Sequence, residues 1–257
     1  MPPRVVSLVP STTESVCRLG AGAQLVGCTR YCLHPAGELV GVARIGGTKN
    51  PMREAVMALA PGLVLANAEE NRPEDLAWLQ ERVPVLVQTP RDVPGALAAL
   101  QELAVALEVE GAAAVAREIV DTVHVALAAA DRPATRLRAY YAIWRKPWMT
   151  VNRDTFVHDV LMRVGCDNVA ATAPARYPEM APSAAVEAGV DLVLLPSEPW
   201  AFDAAQQAEL VAAGTFGGAR LLLCDGRDFC WHGVHMAEGL PRAMAALRAG
   251  SAGQLSH

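Results

Sequence analysis

Side chains able to hold a small molecule are concentrated at a few points of this chain. Trp144-Arg145-Lys146-Pro147-Trp148 brings two indoles and two cations together, although aromatic residues make up only 5% of the sequence. Indole faces flanked by Arg and Lys suit a flat or anionic ligand, through stacking and charge-assisted hydrogen bonds. Packing in a core is the competing use of such tryptophans. Further along, Tyr177 lies in Arg176-Tyr177-Pro178-Glu179 and Trp200 in Ser197-Glu198-Pro199-Trp200. Phe229, Trp231 and His232 crowd the stretch Asp225–Gly233. Near the amino end, Thr29–Pro35 groups Arg30, Tyr31 and His34, a tight set of polar and aromatic contacts. Asn67-Ala68-Glu69-Glu70-Asn71 sets two carboxylates beside two amides. Asn67 and Glu70 are candidates to bind a polar or cationic group, and the same residues also suit a helix start. Ser11 and Thr12 serve equally as ligand contacts or as helix caps.

Metal and enzyme chemistry find less support. Cys230, His232 and His235 carry zinc- or copper-type donors, and Cys32, His34 and Glu70 are further donors. Cys-x-His-x-x-His is nevertheless not a standard structural-zinc spacing, so no metal ligand is assigned. A chelated metal, held through its organic ligand, fits the tryptophans better than a bare ion. Gly46-Gly47-Thr48-Lys49-Asn50 lacks the spacing of a phosphate-binding Walker loop, and its glycines suit a close backbone approach or a turn. There is no GxSxG elbow, dinucleotide glycine series or HExxH helix. His158-Asp159 reads as part of a helix face. No catalytic residue and no catalytic cofactor is expected, and the protein reads as a binder.

These residues need elements to position them. The chain has 257 residues, 52% of them hydrophobic, which is ample for a packed core and incompatible with disorder. A net charge of −5 argues against nucleic acid as a partner. No apolar run approaches the ~18 residues of a transmembrane helix. The six cysteines lack paired CxxC spacing and read as reduced, mostly buried thiols. The amino terminus runs at once into a strand without a secretory pattern. The chain as written is thus expected in the cytoplasm, or in the periplasm or lipid-anchored outside the membrane if a leader was removed.

Near-continuous apolar runs predict strands at Val5–Val9, Gly62–Ala66, Val83–Gln88, Leu137–Ile143, Asp191–Leu195 and Ala219–Cys224. Helical spacing alternates with them at Thr12–Leu19, Met52–Leu59, Pro73–Glu81, Thr155–Val164, Ser183–Ala188 and Ala204–Ala213. Between the two series, Val93 to about Ala130 predicts one long helix, which Gly111 is placed to interrupt. The flanks repeat each other. Val56–Leu65 reads like Ala185–Leu194, Thr12–Gly20 like Thr155–Gly165, and Pro84–Val87 like Arg220–Leu223. The predicted architecture is α/β, with two similar Rossmann-like parallel-sheet lobes bridged by one long helix and a ligand cleft between the lobes. Residues 1–92 form the amino-terminal lobe, 93–130 the linking helix and 131–257 the carboxyl-terminal lobe. Ligand contacts are expected at the carboxyl ends of strands.

A series of motifs, Val6–Glu14, Leu25–Thr29, Ile45–Thr48, Leu59–Ala66, Gly165–Val169 and Asp191–Leu194, resembles the helical-backbone (class III) substrate-binding proteins of ABC importers. That family binds vitamin B12, haem and iron-siderophores. The resemblance covers about residues 4–248. It implies a monomeric solute receptor that holds cobalamin, haem, a ferric siderophore or a similar chelate between two rigid lobes for delivery to an ABC permease. A cytosolic carrier or sensor of the same fold is the alternative. Cobalamin-binding members carry an aromatic residue where Asn67 stands here. They also place aromatics after the last strand, which implies a ligand-wall role for Phe229 or Trp231. Permease docking through one acid per lobe would fall to Glu69, Glu70 or Glu74 and to Glu238.

Overall fold

The structure, a computed structural model, describes residues 2–129 and 136–251. The predicted end of the long helix at Ala130, the lobe boundary beside it and the chain end at His257 lie outside the described residues. Two compact units are present. The first comprises Met1–Pro90, Pro94–Thr122 and His232–His235, and the second Arg91–Val93, Val123–Trp231 and Met236–His257.

The first unit alternates strand and helix: β1 (Val5–Ser7), α1 (Pro10–Val16), β2 (Leu25–Cys28), β3 (Ala43–Arg44), α2 (Arg53–Ala58), β4 (Leu63–Ala66), α3 (Pro73–Gln80) and β5 (Val85–Val87). All strand pairs are parallel, in the order β3-β2-β1-β4-β5. The chain leaves β1 toward one edge and later returns on its other side, so β1 and β4 flank the switch point where such sheets bind ligands. β4 is buried at every position, as its unbroken apolar sequence requires. Val6, Val64, Val56, Leu76 and Leu79 belong to the core around the sheet. Pro73 opens α3, followed by Glu74 and Asp75, where a missing N–H costs nothing and negative charge meets the helix dipole.

The central segment is two helices, α4 (Val93–Ala106) and α5 (Ala112–Ala128), rather than one. Glu108 and Gly111 adopt positive φ angles of 52° and 85° between them. Left-handed residues end a helix, and Gly111 tolerates that backbone without a steric cost. Leu107 is fully buried and its carbonyl accepts from Gln24 Nε2 at 3.1 Å, which anchors the break.

The second unit continues with β6 (Leu137–Tyr141), β7 (Trp144–Arg145), β8 (Trp148–Met149), α6 (Phe156–Arg163), β9 (Cys166–Asn168), α7 (Pro182–Glu187), β10 (Leu192–Pro196), α8 (Ala204–Ala212), β11 (Arg220–Cys224), α9 (Arg227–Cys230) and α10 (Met236–Ser251). Its parallel sheet has the order β11-β10-β6-β9, and β7 and β8 form a separate antiparallel hairpin. This is the first sheet's order without a counterpart of β3, as the sequence repeat implies. Thr155 caps α6 by accepting the His158 N–H at 3.3 Å, and Asp203 caps α8 by accepting the Gln206 N–H at 2.7 Å. Among the described residues, no helix is long and apolar enough to cross a membrane.

Candidate ligand-binding site

Each lobe gathers candidate residues at the carboxyl ends of its strands. In the first lobe, α1 begins at Pro10 directly after β1, and its N-cap residue is Val9, without a side-chain cap. Ser11 and Thr12 are buried and cap nothing, contrary to that reading of the sequence. Thr13 serves the helix start instead, its hydroxyl reaching Ser7 Oγ at 2.8 Å and the Val9 carbonyl at 2.9 Å.

The loop after β2 presents Arg30 and Tyr31 together. The Arg30 guanidinium lies 4.9 Å from the Tyr31 ring centroid and its Nη2 donates to the Tyr31 hydroxyl at 2.9 Å. Tyr31 remains 51% exposed, a phenol aligned by a cation and open to a ligand. Gly47 explains the diglycine beside it. A Cβ there would stand 2.5 Å from Asn50 Oδ1 and 3.3 Å from the Tyr31 ring, so any side chain would displace the pair. His34 is exposed on the same loop.

Asn67 does not join this exposed set. Its side chain is buried, accepting the Glu69 N–H at 2.7 Å, while its own N–H donates to Asn71 Oδ1 at 2.9 Å. Asn71 Nδ2 in turn donates to the Thr48 carbonyl at 2.9 Å. The two amides shape the turn after β4, and this internal use takes Asn67 away from the ligand surface. Lys49 Nζ donates to the Glu69 carbonyl, and Glu70 is half-buried on that turn.

In the second lobe the hairpin β7–β8 follows β6, beside the loop that follows the neighbouring β10. Trp144 meets Trp200 edge-on, with ring centroids 4.9 Å apart, and remains 39% exposed. Trp148 sits deeper, stacked on Phe202 at 6.0 Å and edge-on to Phe216 at 5.2 Å. It is half-buried against the core cluster of this lobe, the core packing that sequence set beside a ligand-wall role. Arg145 is turned away from a ligand role by its ion pair with Glu209 at 2.8 Å. The stretch 176–180 runs along β8, with Met180 N–H donating to the Trp148 carbonyl at 3.0 Å and Thr150 N–H to the Pro178 carbonyl at 3.0 Å. That pairing brings Tyr177, 39% exposed, to the same side of the lobe as the hairpin.

The aromatics after β11 are placed differently. Phe229 is 1% exposed and faces Tyr141 at 5.6 Å inside the lobe, so its ring does not reach the surface. Trp231 is also buried, its Nε1 donating to Glu198 Oε1 at 2.5 Å, with Cys230 Sγ at 3.3 Å from the same oxygen. Glu198 therefore ties the loop carrying Trp200 to the segment carrying Trp231. Sequence reading passed over Glu198 as a site residue, although its place two residues before Trp200 was a usable signal.

His232 and His235 belong to the first unit, where their segment packs on α1. His235 Nδ1 lies 3.1 Å from Glu14 Oε2, and Val234 N–H donates to Ser15 Oγ at 3.3 Å. Burial pulls the His232 imidazole down to about 4, so it is neutral near pH 7. His232 is thus another buried member of the predicted set. His158 is half-buried and meets Asn168 Nδ2 at 3.3 Å through Nδ1, within α6 and its neighbouring strand. Among the described residues, no group of three or more His, Cys, Asp or Glu side chains is arranged to hold a metal ion.

Arg30, Tyr31 and His34, and Trp144 with Tyr177 and half-buried Trp200, are accordingly among the predicted residues whose surfaces reach the loops at the strand ends. Comparison with known proteins gives this arrangement its context. The family model for periplasmic binding proteins matches residues 5–209, and the chain belongs to that family. A vitamin B12-binding protein of Vibrio parahaemolyticus is 28% identical over 180 residues, 69% of this chain, which spans 64% of that relative's length. Among solved structures, the apo periplasmic haem-binding protein of Roseiflexus sp. RS-1 matches with a TM-score of 0.81 and 20% identity, covering 98% of this chain and 100% of the other. The periplasmic vitamin B12-binding protein of Vibrio cholerae matches with a TM-score of 0.77 and 18% identity, covering 97% and 98% of the two chains.

Proposed function

We propose that this periplasmic-binding-protein family member is a solute receptor for a metal chelate of the haem, cobalamin or ferric-siderophore class, which it passes to an ABC importer. The observation that carries this reading is exposed Trp144 braced edge-on by half-buried Trp200, in the loops after β6 and β10. A part-exposed indole braced edge-on by a second one offers a rigid apolar face at little entropic cost, which suits a macrocycle. The Arg30–Tyr31 pair of the first lobe adds a fixed phenol and a guanidinium, groups suited to a metal centre and to peripheral carboxylates. Each lobe carries one such face. The relatives named above, titled as vitamin B12- or haem-binding, support the ligand class, and the periplasmic ones support a site of action outside the cytoplasmic membrane.

The test is a titration of the purified protein with haem, cyanocobalamin and a ferric siderophore, read by tryptophan fluorescence and by ligand absorbance. One of the three is expected to quench the indole signal saturably. Trp144→Ala and Tyr31→Ala are each expected to weaken that ligand by about tenfold or more, the scale of a truncated binding hot spot. Absence of saturable binding across the panel overturns the reading. Fractionation of the native host, with the protein found only in the cytoplasm, would overturn the proposed location.

A further inference from the structure

Two thiols of the first lobe have no part in the proposed ligand faces. Cys28 ends β2 and Cys32 lies in the loop that follows; both are fully buried. The chain between them folds back in a tight turn, with Cys32 N–H donating to the Thr29 carbonyl at 3.1 Å and Tyr31 N–H to Thr29 Oγ1 at 3.3 Å. The turn places the two thiols near enough to influence each other's proton affinity.

Around them stand donors that an ordinary core thiol does not need. The Thr13 hydroxyl lies 3.1 Å from Cys32 Sγ and the Thr29 hydroxyl 3.2 Å from it. Arg44 Nη1 donates to Cys28 Sγ at 2.8 Å and to the Cys32 carbonyl at 2.7 Å, so one guanidinium holds both ends of the turn. Hydroxyl donors and a cation stabilise a thiolate against the cost of burial. The first proton therefore leaves the pair more readily than from a free thiol, and the second far less readily. Elsewhere the balance is opposite: burial, joined at Cys17 by the Glu38 carboxylate, pushes Cys17 and Cys166 up to about 12. Three polar contacts to the two sulfurs, one of them from a guanidinium, distinguish this pair from the inert thiols.

We propose that Cys28 and Cys32 are a redox dithiol that closes reversibly to a disulfide across the loop bearing Arg30 and Tyr31. The oxidant is a disulfide, either a small-molecule one or that of a thiol–disulfide oxidoreductase. The Cys32 thiolate attacks one sulfur of that disulfide, forming a mixed disulfide and releasing the other sulfur as a thiolate. Cys28 gives its proton to the released thiolate and attacks the Cys32 sulfur, expelling the second thiolate of the oxidant. The pair gives up two electrons and its protons, and the oxidant becomes its dithiol form. Access requires only the turn to lift. Exposed Tyr31 and Leu33 flank Cys32, and no helix or strand spans residues 29–35. The inference concerns these two sulfurs and stands independently of which solute the protein carries.

Trypsin provides a direct test, because Arg30 lies between the two cysteines. Cleavage separates Leu19–Arg30, which contains Cys28, from Tyr31–Arg44, which contains Cys32. The full-length native protein is incubated with oxidised glutathione, blocked with iodoacetamide and digested without reductant. The expected product is the two peptides joined, with free thiols in denaturant falling from six to four and returning to six after dithiothreitol. Cys28→Ser and Cys32→Ser should each abolish the joined peptide. Retention of all six thiols, or a link that instead involves Cys17 or joins Cys224 to Cys230, refutes the assignment. So does glutathione adduction of either sulfur without closure of the internal bond.

Discussion

His232 should make the fold sensitive to mild acid. The imidazole is buried, and its proton affinity falls from the ordinary 6.5 to about 4 because the charged form loses its solvation. The unfolded chain keeps the ordinary value, so between these limits it binds more protons than the native state. Stability therefore rises with pH across that window. The contribution is fully present above about pH 6.5 and is lost as pH falls toward 4. Its full size is about 3 kcal/mol, of which about 2 kcal/mol disappears between pH 7 and pH 5. His235 and Glu14 lie in the same segment-to-helix contact, so the comparison must isolate one ring. His232→Gln retains a polar side chain that cannot protonate. Urea unfolding at pH 7 and pH 5 should show wild type losing about 2 kcal/mol more than the variant over that interval. Equal losses in the two proteins would refute the argument that burial keeps this imidazole neutral.

Two further expectations concern packing. A Cβ at Gly233 would stand 2.3 Å from Ser15 Oγ, on a backbone with φ of +85°, so Gly233→Ala should cost about 1–3 kcal/mol in urea unfolding. Adding Ser15→Ala removes the colliding oxygen, and the double variant should be more stable than the sum of the single effects predicts; strict additivity contradicts the contact. Trp148→Ala should cost about 3 kcal/mol, since the ring is packed by Phe202 and Phe216. Trp144→Ala should cost less, about 1 kcal/mol, because the residue is 39% exposed. Equal stability losses by thermal melting would show that Trp144 is a core residue.

The repeat in the sequence made much of the architecture legible. Runs such as Leu63–Ala66 and Leu192–Pro196 are apolar at every position because both faces of those strands are covered. Short strands gave weaker signals: β3 has two residues, and β9 reads Cys-Asp-Asn, which pairing with β6 makes a strand where propensity does not. The helix α10 was hidden by Gly239 and Pro241 within it. Gly111 marked a possible interruption of the central helix, but the positive φ of Glu108 had no sequence signature.

The concentration of scarce aromatics after strands located the candidate site, because chain order fixes which loop follows which strand. Which way each ring faces was left to tertiary packing. Trp144 and Trp148 belong to one hairpin, yet only Trp148 finds Phe202 and Phe216 to bury it. Phe229 and Trp231 share the composition of a ligand wall, but Tyr141 and Glu198 draw them inward. Asn67 likewise spends its amide on the turn it begins. Residue types and spacing thus determined the two-lobed fold and which loops are proposed for a ligand. Burial and hydrogen bonding between residues far apart in sequence decided which of their side chains remain free to meet a ligand, since a polar or aromatic group satisfied by the protein itself has little left to offer one.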